Sequence, residues 1–263
     1  MTHAIREDRT GPNRSAATVV SPRHPRRRRW VRRVVAATAA LVVFLGAGLA
    51  ALLALTPSVD DAPGLVASGL AVHHAPSDDG VIPVRVAAAL LATEDSRYYG
   101  DFALDPRGAV RGAWGALTRD SSTGGATIEL QLAKLLYTPG RSGLGAELEQ
   151  VGVAIKLDAH FTKHQILAMY LDAAYFGDGA YGITMAARHY FDRPAGDLTW
   201  GQASLLAGLV QAPTAYDPHG HLHLALQRRH HVLQRLVATG TLSPAAAIRV
   251  AAAPLDPAVP FYG

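Results

Sequence analysis

From Val34 to Leu55 the chain runs for 22 residues, VVAATAALVVFLGAGLAALLAL, without a charged side chain. As a helix this stretch rises about 33 Å at ~1.5 Å per residue, enough to cross a hydrocarbon core of roughly 30 Å. The reading is one transmembrane helix over 34–55, and the flanking charges orient it. Residues 1–33 hold ten Arg, including 26–29, 32 and 33, against Glu7 and Asp8, a net of +8 that leaves −4 on the remainder. Residues 56–65 carry only Asp60 and Asp61. By the positive-inside rule the basic tail 1–33 stays in the cytoplasm, and everything beyond Leu55 lies outside the cell membrane. A cleavable signal peptide is the alternative, but its apolar region usually spans about 7–15 residues and ends at a small-x-small site. This stretch is longer and runs into Leu55-Thr56-Pro57. The Arg cluster abuts the span, which assigns it to topology and anionic lipid, and no nucleic-acid partner is expected.

Cysteine is absent, which excludes disulfides, thiol catalysis and thiolate metal sites. Residues 56–83 are rich in Pro, Gly, Ser and Asp without a sustained helical period and read as a stalk. Helix signals then follow one another. Pro83 precedes the apolar series Val84, Ala87, Ala88, Leu90, Leu91, which stops near Gly100. Thr162-Lys-His-Gln165 and Thr199-Trp-Gly-Gln202 match the capping-box pattern, and Ser243-Pro244 opens an Ala-rich helix. No run of alternating β-branched residues appears, so the folded part, 84–255, is expected to be mainly α, with 256–263 as a tail.

Several groups carry candidate chemistry. Glu94-Asp95 ends the first apolar helix, where desolvation can raise a carboxylate pKa toward the range a general base needs. Gly124-Gly-Ala-Thr127 leads into a helix, turning free backbone N–H groups and Thr127 toward an anionic ligand, with Lys134 adding charge. Arg107 and Arg111 border an amphipathic stretch that contains Trp114; the anchor beside it favours a membrane interface over a surface helix packed on the core. Gly177-Asp-Gly-Ala-Tyr-Gly182 matches a dinucleotide string but follows a helical pattern, so it reads as a helix-breaking turn. The histidines at 219, 221, 223, 230 and 231 read as a solvated loop rather than a metal site.

The runs LLATEDSRYYGDFALDPRG, GGATIELQLAKLLY, VAIKLDAHFTKHQILAMYLDAAYFGDGAYGITMAARHYF and LTWGQASLLAGLVQAPTAYDP occur in an order that resembles the peptidoglycan glycosyltransferases of family 51, over about residues 84–237. The resemblance implies a lysozyme-like helical domain with a small membrane-facing hydrophobic subdomain. It also implies polymerisation of lipid II, by attack of one sugar's 4-hydroxyl on another's anomeric carbon with inversion and loss of undecaprenyl pyrophosphate. Glu94 matches the catalytic glutamate that deprotonates the attacking hydroxyl. Asp95 and Tyr98 fall on its motif neighbours, and Gly125, Thr127, Gln131 and Lys134 match the motif that lines the donor site and handles the pyrophosphate.

The departures are specific. Asp101 stands where the family has His, and Ala126, Glu129, Leu130 and Leu135 replace its Ser, Thr, Gln and Asn. The family's second glutamate falls on Gln150, and the preceding Arg-Lys pair falls on Ala146-Glu147. Glu147, three residues from Gln150 on nearly the same helical face, is the candidate replacement. Relatives that use Mg²⁺ make that ion the cofactor to test. The expected partners are lipid II, the growing glycan strand, the bilayer and cell-wall synthesis proteins. With the chain ending at Gly263, a monofunctional enzyme without a transpeptidase domain is expected. The alternatives are a catalytically weakened scaffold that binds lipid II or cell-wall partners, and a lysozyme-type hydrolase.

Overall fold

The computed structural model describes residues 25–77, 81–100, 127–256 and 258. They are helical, with an isolated antiparallel bridge between Tyr175 and Tyr181 and no strand among the described residues. Helix α1 (Pro25–Leu55) contains a stretch, Arg32–Leu55, that is long and apolar enough to cross a membrane. Its Val42, Val43 and Phe44 are exposed. The chain divides into two compact units, 1–49 and 50–263, and the second holds the elements that follow.

The segment 56–83, expected to be a helix-free linker, contains α2 (Ala62–Val72) instead. Ala62, Val66 and Leu70, four residues apart, form its buried stripe, with Pro63 accommodated in the first turn. The stripe is only three residues long and lies in a Pro- and Gly-bearing sequence, which hides the period. Residues 56 and 57 are tied down as well: Lys156 Nζ donates to the carbonyls of Thr56 (2.7 Å) and Pro57 (2.9 Å).

Around the core stand α3 (Val84–Glu94), α4 (Ile128–Tyr137), α5 (Leu144–His160), α6 (Lys163–Ala173), α7 (Ile183–Phe191), α8 (Trp200–Leu209), α9 (Pro218–Ala238) and α10 (Pro244–Ala252). Both expected capping boxes are present. Thr162 and Gln165 open α6, Thr199 and Gln202 open α8, and Ser243 caps α10. Helix α8 is buried from Gly201 to Leu209 and packs against α3 and α9. Its small residues permit the close approach: a Cβ added at Gly208 would lie 3.0 Å from Arg228 Cγ. Elsewhere α4 packs against α5 and α6, and α2 against α6.

The 177–182 string is a turn, as expected, with positive φ at Gly177, Asp178, Gly179 and Gly182. The histidine-rich segment is not a loop. Asp217 caps α9, Pro218 occupies its first turn, and the helix runs to Ala238 with a kink at His221. Alternation of His at 219, 221 and 223 obscured a helical stripe of Ala225, Val232, Leu233 and Leu236, all buried.

Candidate active site

Glu94 is the last residue of α3, where the helix ends at Asp95 in a non-helical conformation. Its side chain is 14% exposed and accepts a hydrogen bond from Arg228 Nη2 of α9 at 3.0 Å. The Gln131 side chain of α4 also donates to it. Gln131 is oriented in turn by the buried Tyr170, whose hydroxyl donates to Gln131 Oε1 at 2.6 Å. Desolvation pushes the Glu94 pKa up from its ordinary value, opposed by the Arg228 guanidinium and by the hydrogen bonds from Gln131 and Arg228. Arg235 of α9 donates to the Ala92 carbonyl at 3.0 Å, so α9 also holds the C-terminal end of α3.

Beside it lies a second charged cluster. Asp95 Oδ2 accepts the N–H of Ile128 at 3.3 Å, joining the end of α3 to the start of α4. Burial, with a contribution from the Glu129 charge and against the Ile128 hydrogen bond, raises the Asp95 pKa to about 6. Lys163 Nζ bridges Glu129 Oε1 (2.6 Å) and Asp158 Oδ1 (2.8 Å). Burial lowers the Lys163 pKa, and the bonds to Asp158 and Glu129 more than reverse this, leaving it raised. Glu129, which the sequence places near Lys134, is instead 1% exposed and paired with Lys163. Tyr98, expected at the substrate, is 2% exposed, its ring under Lys163 and its hydroxyl donating to the Lys163 carbonyl at 2.6 Å. It stands in the core beneath the cluster.

At the start of α4, Thr127 is buried and its hydroxyl caps the helix by accepting from Leu130 N–H at 3.3 Å. With Ile128 N–H held by Asp95, two of the backbone donors expected to face an anion are engaged within the protein. Lys134 is exposed in the last turn of α4, one turn from Gln131. Gln150 is not drawn into either cluster, since its Nε2 donates to Thr138 Oγ1 at 2.8 Å. Glu147 is exposed in the first turn of α5, and Arg141 is spent on Glu149 at 2.8 Å. Gly125, Arg107, Arg111 and Trp114 lie outside the described residues.

The structure thus gathers Glu94, Asp95, Gln131, Arg228 and Lys163 about the ends of α3 and α4, with Tyr170 and Tyr98 behind them. Among the described residues, the donor set around Glu94 does not suit Mg²⁺, which takes several oxygen ligands. A guanidinium occupies the Glu94 carboxylate, Asp95 holds a helix start, and an amide stands at position 150. Arg228, Tyr170 and Lys163 escaped sequence reasoning. Arg228 had a signal: it falls on the apolar stripe of α9, where a charge needs a partner.

A family profile described as Transglycosylase matches residues 71–237. Penicillin-binding protein 1A of Aquifex aeolicus is 38% identical over 62% of this chain and 23% of its own length. That of Vibrio cholerae is 35% identical over 69% of this chain and 22% of its own length. The chain therefore spans under a quarter of these two relatives. A Cupriavidus necator protein bearing the name transglycosylase is 33% identical over 77% of this chain and 88% of that protein. The profile match covers the helices that carry Glu94, Gln131, Lys163 and Arg228, and the chain belongs to the transglycosylase family, the peptidoglycan glycosyltransferases of family 51 that its motifs resemble.

Proposed function

We propose that this chain is a membrane-anchored polymerase of lipid II. Glu94 takes the proton of the acceptor sugar's 4-hydroxyl, and that oxygen attacks the donor's anomeric carbon with inversion. The bond to the diphosphate breaks, and its electron pair leaves with undecaprenyl pyrophosphate. The observation that carries this reading is the enclosed Glu94 carboxylate, made more basic by burial against the opposing Arg228 charge and the hydrogen bonds from Gln131 and Arg228. A carboxylate made more basic by burial is a better proton acceptor than an exposed one. Lys134, exposed one turn from Gln131, supplies charge for the departing diphosphate. Asp95 and the Glu129–Lys163–Asp158 cluster position the α3–α4 junction. Helix α1 anchors the chain in the cell membrane, with the basic tail cytoplasmic and the remainder outside.

A second reading is favoured by Gln150, whose amide is tied to Thr138 where the family carries a second glutamate. In that reading the chain binds lipid II or cell-wall synthesis proteins as a scaffold. Incubating the full chain in detergent micelles with lipid II separates the two. Glycan strands are the expected product, and lipid II bound but unconsumed by the wild type would overturn the enzyme reading in favour of the scaffold.

A further inference from the structure

The turn after α6, helix α7 and the start of α9 bring together three groups that the transfer chemistry does not use. Asp178, at φ +44 in the Gly177–Gly182 turn, receives His189 Nε2 from the last turn of α7 at 2.8 Å. His219 Nδ1, from the first turn of α9, approaches the same Oδ2 at 3.2 Å. The three donor atoms lie within 4.8 Å of one another. Both rings are held by the buried Tyr190. His219 stacks on it at 5.6 Å and 18°, and His189 meets it edge-on at 4.9 Å and 84°. Tyr190 is fixed by its own bond to the Phe176 carbonyl at 3.1 Å.

Two imidazole nitrogens and one carboxylate oxygen, converging from three separate elements, form the donor set of a zinc-type ion. Tetrahedral zinc places neighbouring donors about 3.3 Å apart, close to the 2.8 and 3.2 Å separations here. Mg²⁺ and Ca²⁺ favour all-oxygen sets and fit poorly. We propose that Asp178, His189 and His219 bind one Zn²⁺-class cation. Its fourth position opens to solvent on the side of Asp178, whose side chain is 47% exposed. Asp217, 3.6 Å from His219 Nδ1, caps α9 through the His219 N–H and stays out of the first coordination sphere. The bound ion pins the 177–182 turn and α7 to the start of α9. The inference is independent of the transferase reading.

The test uses the full chain in detergent micelles, stripped with a chelator and titrated calorimetrically with Zn²⁺ alone. One saturable equivalent is expected, unaffected by millimolar Mg²⁺ and accompanied by a rise in Tm. Affinity should fall by about tenfold or more in His189→Ala and in Asp178→Asn, each checked for fold by circular dichroism. It should be unchanged when the exposed His230 and His231 are both replaced by Ala. Co²⁺ added to the wild type should give the intense visible bands of a four-coordinate N/O site, a readout that needs no variant to fold. Absence of both those bands and a saturable equivalent, or binding lost in the His230/His231 double variant and kept in His189→Ala, overturns the proposal.

Discussion

Glu94 sits between opposed influences, burial raising its pKa and Arg228 lowering it. Replacing Arg228 by Met leaves burial unopposed on that side, so the Glu94 pKa rises further. A base works when deprotonated, so the acidic limb of the polymerisation rate should move to higher pH, by about one unit or more, as read from a pH–rate profile. Asp95 makes a different statement, about stability. Its pKa rises from the ordinary 3.8 to about 6. Its favourable contribution is therefore complete below pH 3.8 and lost as pH rises through about 6. Asp95→Asn should gain about 1–2 kcal/mol over wild type on going from pH 4 to pH 8, a figure reduced for partial exposure; denaturant titrations at the two pH values measure it. Glu147, exposed in α5, should tolerate Gln with polymerisation unchanged. Of these residues Glu94 was legible because an acidic pair closes an apolar helix. Arg228's place on the apolar stripe of α9 signals only that it needs a partner, and no local pattern says that the partner is Glu94, 134 positions away.

Helix α8 shows which elements sequence can declare. Its boundaries were readable because Thr199 and Gln202 exchange hydrogen bonds over three residues, a local code independent of tertiary context. Thr199→Ala should cost about 1 kcal/mol. Gln202→Ala should cost more, since Gln202 Nε2 also donates to the Leu255 carbonyl at 2.8 Å; chemical denaturation ranks the two. Helix α2 and the first turns of α9 lacked such a code. The former is specified by three apolar residues that acquire meaning only against α6, and the latter by Pro218 and histidines that also suit a loop. Packing of α8 on α9 bears on the chemistry as well. Gly208→Ala would place a methyl 3.0 Å from Arg228 Cγ. Such overpacking costs about 1–3 kcal/mol, and it should lower Tm and polymerisation together by displacing the guanidinium from Glu94.

For the whole molecule, membership of the transglycosylase family and a helix long and apolar enough to cross a membrane are what support the proposal of chemistry on a lipid-linked substrate. Fractionated cells should hold the full chain in the membrane pellet after alkaline carbonate washing, and reporter fusions after Asp61 should be active only outside the cytoplasm. The helical class was legible from periodicity. The way α3, α4 and α9 converge was not, because it depends on contacts such as Asp95 with Ile128 and Arg228 with Glu94 that no single segment contains. The central claim is that the Glu94 carboxylate is the base of glycosyl transfer. Its most direct test is polymerisation of labelled lipid II by wild type and Glu94→Gln side by side, with fold and lipid II binding verified for both. Glycan strands are expected from the wild type and none from the variant, and equal strand synthesis by both would remove Glu94 from that role.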